Sequence, residues 1–313
     1  MKKALIIFGM IISVGFCTRV EAYSHEGILA IMEGHQQSSV ELPLPGDYQW
    51  YHGCSPTAAG MMMGYYDING YKGESYDNMV PGGRAEDETF SGPGLVNSII
   101  ASSGHIYDFY QGGTGAIGDD LPEPWHDFDC LADFMGTSQD AAHLPNGSTW
   151  FFFHGDGRKG TRQDYLDLGF ENEGMLGICD YIEYAGYEIE SAYNQLTDVY
   201  LEKNRIFDSG FTFEDYMTEI DEGRPVKISI STFGGKHSIY GYGYDVETGE
   251  ILFHDTWSLG EKRMEWGGLY TGSWELLGVT CIELVPIPLP SSLFLSGLGM
   301  SLVGIARRHK KRA

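Results

Sequence analysis

The last part of the chain alternates apolar and polar residues in the manner of β-strands. In "VKISIST" the side chains of Val226, Ile228 and Ile230 alternate with polar ones, which gives a strand one apolar face. Three further segments of strand character follow, separated by turn sequences at Gly-Gly and "ETGE": "HSIYGYGYDV", "EILFHDTW" and "GVTCIELV". Short turns between consecutive strands predict antiparallel pairing.

The preceding part predicts helices. Thr212 is a suitable N-cap for "TFEDYMTEIDEGR", and Gly223 is a suitable terminator. Helices are also predicted after Ser55-Pro56 and in "GPGLVNSIIASSG", "CLADFMGTS" and "ENEGMLGICDYIEYAG". Helices followed by antiparallel strands predict an α+β architecture. No low-complexity linker or internal repeat divides residues 23–285, so we expect a single domain there.

Both ends of the chain have the composition of targeting segments. Residues 1–22 combine two lysines, an apolar run and small residues Val20 and Ala22, which predicts a secretory signal peptide. At the other end, 23 residues from Leu284 to Ala306 carry no charge, and "RRHKKR" follows. This pattern predicts a membrane segment with a cytoplasmic basic stop within residues 286–313. The alternative is a buried core helix.

The predicted exported domain is strongly acidic. Residues 23–285 hold 12 basic and 43 acidic side chains, a net charge of −31. Such a surface repels nucleic acid and anionic lipid, so we expect no nucleic-acid partner. The simplest interpretation of the charge is solvation of an exported protein.

Cysteine usage leaves the redox state open. An exported chain can form disulfides, but if Cys54 stays free for chemistry, at most one bridge can form among Cys130, Cys179 and Cys281. A metal site is conceivable in "WHDFDCLADFMG", at His126, Asp127, Asp129 and Cys130. It lacks a second ligand pair at zinc-like spacing, so a structural role is favoured and no metal is predicted.

Cys54 lies in a position that suits a nucleophile. Ser55 is a good N-cap and Pro56 a favoured first helical residue, so we expect Cys54 just outside a helix N-terminus. The helix dipole favours an anion there, which makes a thiol easier to deprotonate.

A thiolate needs a base, and histidine is the usual one. His237 begins a predicted strand, and Asp255 lies on the next strand, so antiparallel pairing can bring the two together. We expect Asp255 to orient His237, and we expect His254 to point to the other face because neighbouring strand residues alternate. Gln49 precedes Cys54 by five residues and can donate to an oxyanion together with the backbone N–H of Cys54.

The segments "DYQWYHGCSPTAAGMMMGYYD", "HSIYGYGYD" and "FHDTW" resemble the Cys, His and Asp boxes of papain-like cysteine peptidases. The resemblance is closest to the family-thirty-nine-like group related to bacteriocin double-glycine leader peptidases. It implies the papain-like fold, with the nucleophile at a helix N-terminus packed on a C-terminal antiparallel sheet. It also implies catalytic Cys54, His237 and Asp255, with Gln49 at the oxyanion, a peptide or protein substrate, and no cofactor. Leader cleavage linked to a transporter is not implied, because the chain has no transporter segments.

The C-terminal "VPIPLPSSLFLSGLGMSLVGIARRHKKR" is similar to PEP-CTERM sorting signals in their Pro-Leu-Pro variant. The resemblance implies recognition by an exosortase at the inner membrane of a Gram-negative bacterium. It further implies cleavage near Pro288 to Pro290 and release toward the surface or the extracellular matrix. An uncleaved single-span anchor is the alternative.

Together these features predict an exported thiol-dependent peptidase that acts through a thioester intermediate. Two alternatives remain. One is transglutaminase-like acyl transfer to an amine, which uses the same order of residues. The other is a catalytically silent surface or matrix protein that keeps the fold for binding.

Overall fold

The computed structural model describes residues 38–43, 46–80, 95–110, 127–139, 144, 146–206 and 210–286. The predicted signal peptide, residues 1–22, lies outside these ranges, as does the predicted C-terminal segment from residue 287 onward. Inside them, no helix is both long and apolar enough to cross a bilayer. The domain boundaries at residues 23 and 285 stay predictions.

The sheet in the described residues is antiparallel and has eight strands in the order β2-β3-β8-β4-β5-β6-β7, with β1 paired to β5. The strands are β1 Ser39–Glu41, β2 Gly160–Thr161, β3 Ile189–Leu196, β4 Val226–Thr232, β5 Gly235–Asp245, β6 Glu250–His254, β7 Lys262–Glu265 and β8 Glu275–Leu284. The four segments predicted as strands become β4, β5, β6 and β8. The last strand in the chain therefore lies in the middle of the sheet.

The described helices are mostly short. They are α1 Cys54–Asn69, α2 Leu95–Ile100, α3 Ser103–His105, α4 Leu131–Phe134, α5 Arg162–Asp167, α6 Gly174–Tyr184, α7 Asp198–Lys203 and α8 Phe213–Asp221, and a π-helix spans Ile106–Tyr110. The predicted start of α8 is confirmed, because the Thr212 hydroxyl accepts from Asp215 N and the Asp215 carboxylate accepts from Thr212 N. Gly223 follows this helix with φ of 76°, in the left-handed region that suits glycine.

Helix α1 is the central helix and packs against β4 and β5. Its residues from Ser55 to Asp67 are all buried, which explains why the segment is apolar around its whole circumference. Small residues allow its neighbours to approach closely. A Cβ at Gly60 would overlap the side chain of Ile100 on α2. The α+β class predicted from the sequence is confirmed.

The alternation in β4 does not give that strand a wet face. Lys227 and Ser229 are buried, as are Val226, Ile228 and Ile230 on the opposite face. Helix α8 packs against β4 and β5, and helix α1 packs against the same two strands, so the sheet is covered by more than one layer. The polar side chains Lys227 and Ser229 of this strand are therefore buried and do not face solvent.

Candidate active site

Cys54 is the first residue of helix α1, and Gly53 is its N-cap. The prediction that Ser55 caps this helix is wrong. No side chain caps this helix N-terminus. The hydroxyl of Thr57, one turn inside, donates to Gly53 O at 2.6 Å and accepts from Tyr51 N at 3.0 Å. The Ser55 hydroxyl instead hydrogen bonds to the hydroxyl of Ser238 on β5, at 2.8 Å. The helix N-terminus is thereby tied to the strand that carries His237.

Cys54 and His237 line the same pocket, and the bond between Ser55 and Ser238 joins their neighbouring residues. Burial opposes ionisation of the Cys54 thiol. The hydrogen bond and positive charge of His237, the backbone N–H of Ser238 and the charge of Lys227 outweigh it, and the pKa of Cys54 falls to about 7. The structure thus brings the sulfur and the imidazole together and favours the thiolate near neutral pH.

His237 is fixed on its other side by the loop after β6. Its Nε2–H donates to the backbone carbonyl of Asp255 at 2.7 Å, and the Thr256 hydroxyl lies 3.0 Å from the same nitrogen. Since Nε2 is engaged there, Nδ1 is the ring nitrogen that remains for an interaction with Cys54. The Trp257 ring stacks on the imidazole, with ring centroids 3.8 Å apart and an interplanar angle of 15°.

Asp255 contacts His237 differently from the sequence expectation. Its backbone carbonyl, and not its carboxylate, accepts the hydrogen bond from the imidazole. The carboxylate accepts from Trp257 N and Ser258 N at 2.9 Å each, and from Tyr270 OH at 2.6 Å. Asp255 therefore shapes the turn that presents its carbonyl.

Thr256 has an unusual backbone conformation at this turn. Its φ is 60°, a value that is strained for a β-branched residue, and it is 1% exposed. Its carbonyl accepts from Trp50 N at 2.5 Å, which joins the turn to the segment leading into Cys54. The sequence analysis did not identify Thr256, because nothing in "HDTW" indicates that this threonine adopts a left-handed backbone conformation.

Gln49 is half-buried in the extended segment next to Trp50. It has no hydrogen bond to any other described residue, so its role at an oxyanion stays a prediction. His254 does not join His237: its Nδ1–H donates to Gly46 O, and the nearest carboxylate oxygen, from Asp47, is 3.7 Å away.

A pocket of about 370 Å³ opens beside the Cys54–His237 pair. Its wall opposite the sheet is the segment from Gly147 to Phe153, which contributes hydroxyl groups and aromatic rings. None of the described residues that line it is acidic, although the chain has 44 acidic side chains. The lining residues are Cys54, Ser55, Leu144, Gly147, Ser148, Thr149, Trp150, Phe151, Phe153, Ser229, Lys236, His237, Ser238 and Leu277.

The described group with metal-ligand chemistry is His105, Cys130 and Asp133, whose ligand atoms lie within 4.8 Å of one another. The Asp133 carboxylate already accepts from His105 Nδ1 at 2.8 Å, from Asp129 N at 3.0 Å and from Cys130 N at 3.3 Å. These bonds cap helix α4, which favours a structural role. Of the residues considered from the sequence, His126 lies outside the described ranges. The four described cysteines, Cys54, Cys130, Cys179 and Cys281, are all free thiols.

Two stretches of the chain match known families. Residues 159–282 match the Peptidase_C39 like family. Residues 286–312 match the PEP-CTERM protein-sorting motif. Both resemblances predicted from the sequence are confirmed. No curated protein matches the chain.

The two matches differ in what they cover. The C39-like match contains His237 and Asp255, whereas Gln49 and Cys54 precede its first residue. The pairing of Cys54 with this C39-like region is therefore an observation of the structure. The PEP-CTERM motif indicates export with exosortase-type sorting in a Gram-negative bacterium.

Proposed function

We propose that this protein is an exported cysteine peptidase in which Cys54 is the nucleophile and His237 the general base and acid. The observation that carries the proposal is the position of Cys54 at a helix N-terminus, in the same pocket as His237. The interaction with His237 helps to lower the pKa of the Cys54 thiol to about 7. The match of the region that contains His237 to the Peptidase_C39 like family also supports the assignment as a peptidase. A helix that carries the nucleophile and an antiparallel sheet are also what the resemblance to papain-like peptidases implies, which supports the proposal.

The reaction follows from the positions of these groups. The Cys54 thiolate attacks the carbonyl carbon of the scissile peptide bond while the proton resides on His237 Nδ1. His237 then gives that proton to the leaving amine, and a thioester to Cys54 remains. Water, deprotonated by His237, hydrolyses the thioester and returns the free thiol.

The residues around Cys54 and His237 support these steps. The carbonyl of Asp255 holds the imidazole in the tautomer that leaves Nδ1 toward sulfur, and Trp257 covers the ring face. At the start of α1, the Cys54 N–H has no partner within the helix and is the first donor for an oxyanion. Gln49 is the proposed second donor. The pocket is large enough for substrate side chains next to the scissile bond.

The proposed location follows from the sorting motif. We place cleavage by an exosortase-type enzyme near Pro288 to Pro290, after which the domain is released toward the cell surface or the extracellular matrix. The free domain then meets peptide or protein substrates outside the inner membrane.

Labelling with a thiol-directed peptidase probe tests the assignment. Cys54→Ala should abolish both labelling and substrate cleavage. Cys130→Ala is the control, because burial raises the pKa of the Cys130 thiol well above its usual range. Equal labelling of the two variants would refute the peptidase assignment. Transfer of the acyl group of a glutamine donor to a labelled primary amine, with release of ammonia and without hydrolysis, would instead assign acyl transfer.

A further inference from the structure

Lys227 is a buried lysine close to the proposed nucleophile. It lies on β4 and is 0% exposed. Lysine is almost never fully buried without a paired charge, because an ammonium loses its hydration in the protein interior. We therefore looked for an anion near Lys227 that its positive charge could stabilise.

The contacts of Lys227 place its ammonium behind the wall of the pocket. Its Nζ donates to the Ser229 hydroxyl at 2.7 Å and lies 3.3 Å from the centroid of the Phe151 ring. Ser229 and Phe151 both line the pocket that also contains Cys54. Among the described residues, Lys227 forms no ion pair with a carboxylate. Its contacts are a neutral hydroxyl and an aromatic face.

We propose that Lys227 is a positioning residue that stabilises the Cys54 thiolate from within the sheet, as a second cation besides His237. The proposal rests on the proposed function in taking Cys54 as the nucleophile. In a buried site the attraction between an ammonium and a thiolate is only weakly screened, so a contact between the two atoms is not required.

The charges around Lys227 are consistent with this role. Cys54 faces it from α1 and Glu173 from the N-terminus of α6, and both favour the ammonium, whereas Lys236 on β5 opposes it. Burial is the largest effect and lowers the pKa of Lys227 to about 7. The Glu173 carboxylate is committed elsewhere, since it accepts from Phe152 N, Met175 N, Leu176 N and Asn194 Nδ2. Cys54 is thus the anion that gains most from the lysine.

The proposal separates thiolate formation from proton transfer. With His237 as its sole cation, the thiolate would lose its stabilisation each time the imidazole gave its proton to the leaving amine. With a protonated Lys227 behind the pocket, a positive charge remains near sulfur after the imidazole has given up its proton. Because the pKa of Lys227 is about 7, this contribution decreases as the pH rises above 7. Removing the lysine should therefore raise the pKa of Cys54 even while His237 is intact.

The test is the pH dependence of Cys54 alkylation by iodoacetamide, measured on the full chain by mass spectrometry of the peptide that carries Cys54. Lys227→Met should move the midpoint upward by about one pH unit, which is about a tenfold lower rate below pH 7. Lys227→Arg, which keeps a cation, should shift the midpoint less than Lys227→Met. Lys159→Met is the matched control: it removes the same charge from an exposed position that does not line the pocket, and should shift the midpoint least.

Thermal unfolding of the same variants distinguishes the proposed role from a structural one. Replacing a buried charge by an apolar side chain of similar length should leave the melting temperature of Lys227→Met unchanged or higher. An unchanged alkylation profile in both Lys227→Met and Lys227→Arg would overturn the role of Lys227. If His237→Ala still shifts the midpoint upward in that case, the proposed function survives. A wild-type midpoint at the ordinary thiol value would overturn both.

Discussion

The hydroxyls of Ser55 and Ser238 hydrogen bond to each other across 183 positions of the chain, at 2.8 Å. Ser55 follows Cys54, and Ser238 follows His237. The two residues proposed to react are therefore held in register by their immediate neighbours, through a buried bond between helix α1 and strand β5.

Removing one of these hydroxyls should weaken the site. In Ser238→Ala the buried Ser55 hydroxyl loses its partner, and the free energy of unfolding should fall by about 1–3 kcal/mol. We also expect slower labelling of Cys54, because the helix end and the strand are no longer tied. The double variant Ser55→Ala with Ser238→Ala should cost less than the sum of the single changes, as a double-mutant cycle will show. Additive losses would mean that the bond does not couple the two elements.

Because His237 contacts the backbone carbonyl of Asp255, we expect activity to tolerate loss of the negative charge on the Asp255 side chain. Asp255→Asn keeps a side-chain oxygen for the N–H groups of Trp257 and Ser258, so the turn should persist and kcat/KM should fall by only about threefold. Asp255→Ala removes the acceptor altogether and should lower kcat/KM by about a hundredfold, since the turn that presents the carbonyl loses its support. A large loss in Asp255→Asn would instead favour a direct role for the negative charge.

Trp257 and Trp150 are exposed to nearly the same extent, so substitutions at the two positions can be compared. Trp257 is 39% and Trp150 38% exposed, but only Trp257 stacks on His237. Trp257→Ala should therefore lower kcat and change the pH profile, because the imidazole and its hydrogen bond to Asp255 become open to water. Trp150→Ala, in the pocket wall, should chiefly raise KM. Indistinguishable steady-state kinetics for the two variants would contradict this division of roles.

The pKa of Cys54 predicts where the protein becomes reactive. The thiolate forms as pH rises through about 7, so alkylation at Cys54 should be slow at pH 5 and about half-maximal near pH 7. In His237→Ala the midpoint should move upward, because the hydrogen bond and the positive charge are lost while burial remains. The buried Cys179 is an internal control. Burial raises the pKa of its thiol, and it should stay unmodified throughout.

Much of the fold was predictable because it depends on local patterns. The alternation in β4 and the capping box at Thr212 report directly on strand and helix geometry. The pairing of Cys54 with His237 was predicted from residue types, since few side chains perform thiol chemistry. Side chains alone, however, do not determine which atom of Asp255 meets the imidazole. That depends on a left-handed residue, Thr256, in the turn.

The burial of Lys227 was also beyond sequence reasoning. A strand that alternates apolar and polar residues ordinarily has one solvent-exposed face. Strand β4 has none, because neighbouring elements pack on both of its sides, and this packing is not visible in the sequence. The predicted start of α1 was wrong by two residues, for a related reason. Ser55 has the right chemistry for a cap, but its hydroxyl is committed to a strand 183 positions away.

The position of β8 has a consequence for how this protein reaches its destination. Residues Glu275–Leu284 complete the middle of the sheet, between β3 and β4, although they form the last of the described strands. A polypeptide translocated from its N-terminus delivers this strand last, immediately ahead of the sorting motif. We therefore expect the sheet to stay incomplete until residues 275–284 have been translocated, so that the proposed Cys54–His237 site forms only late in export.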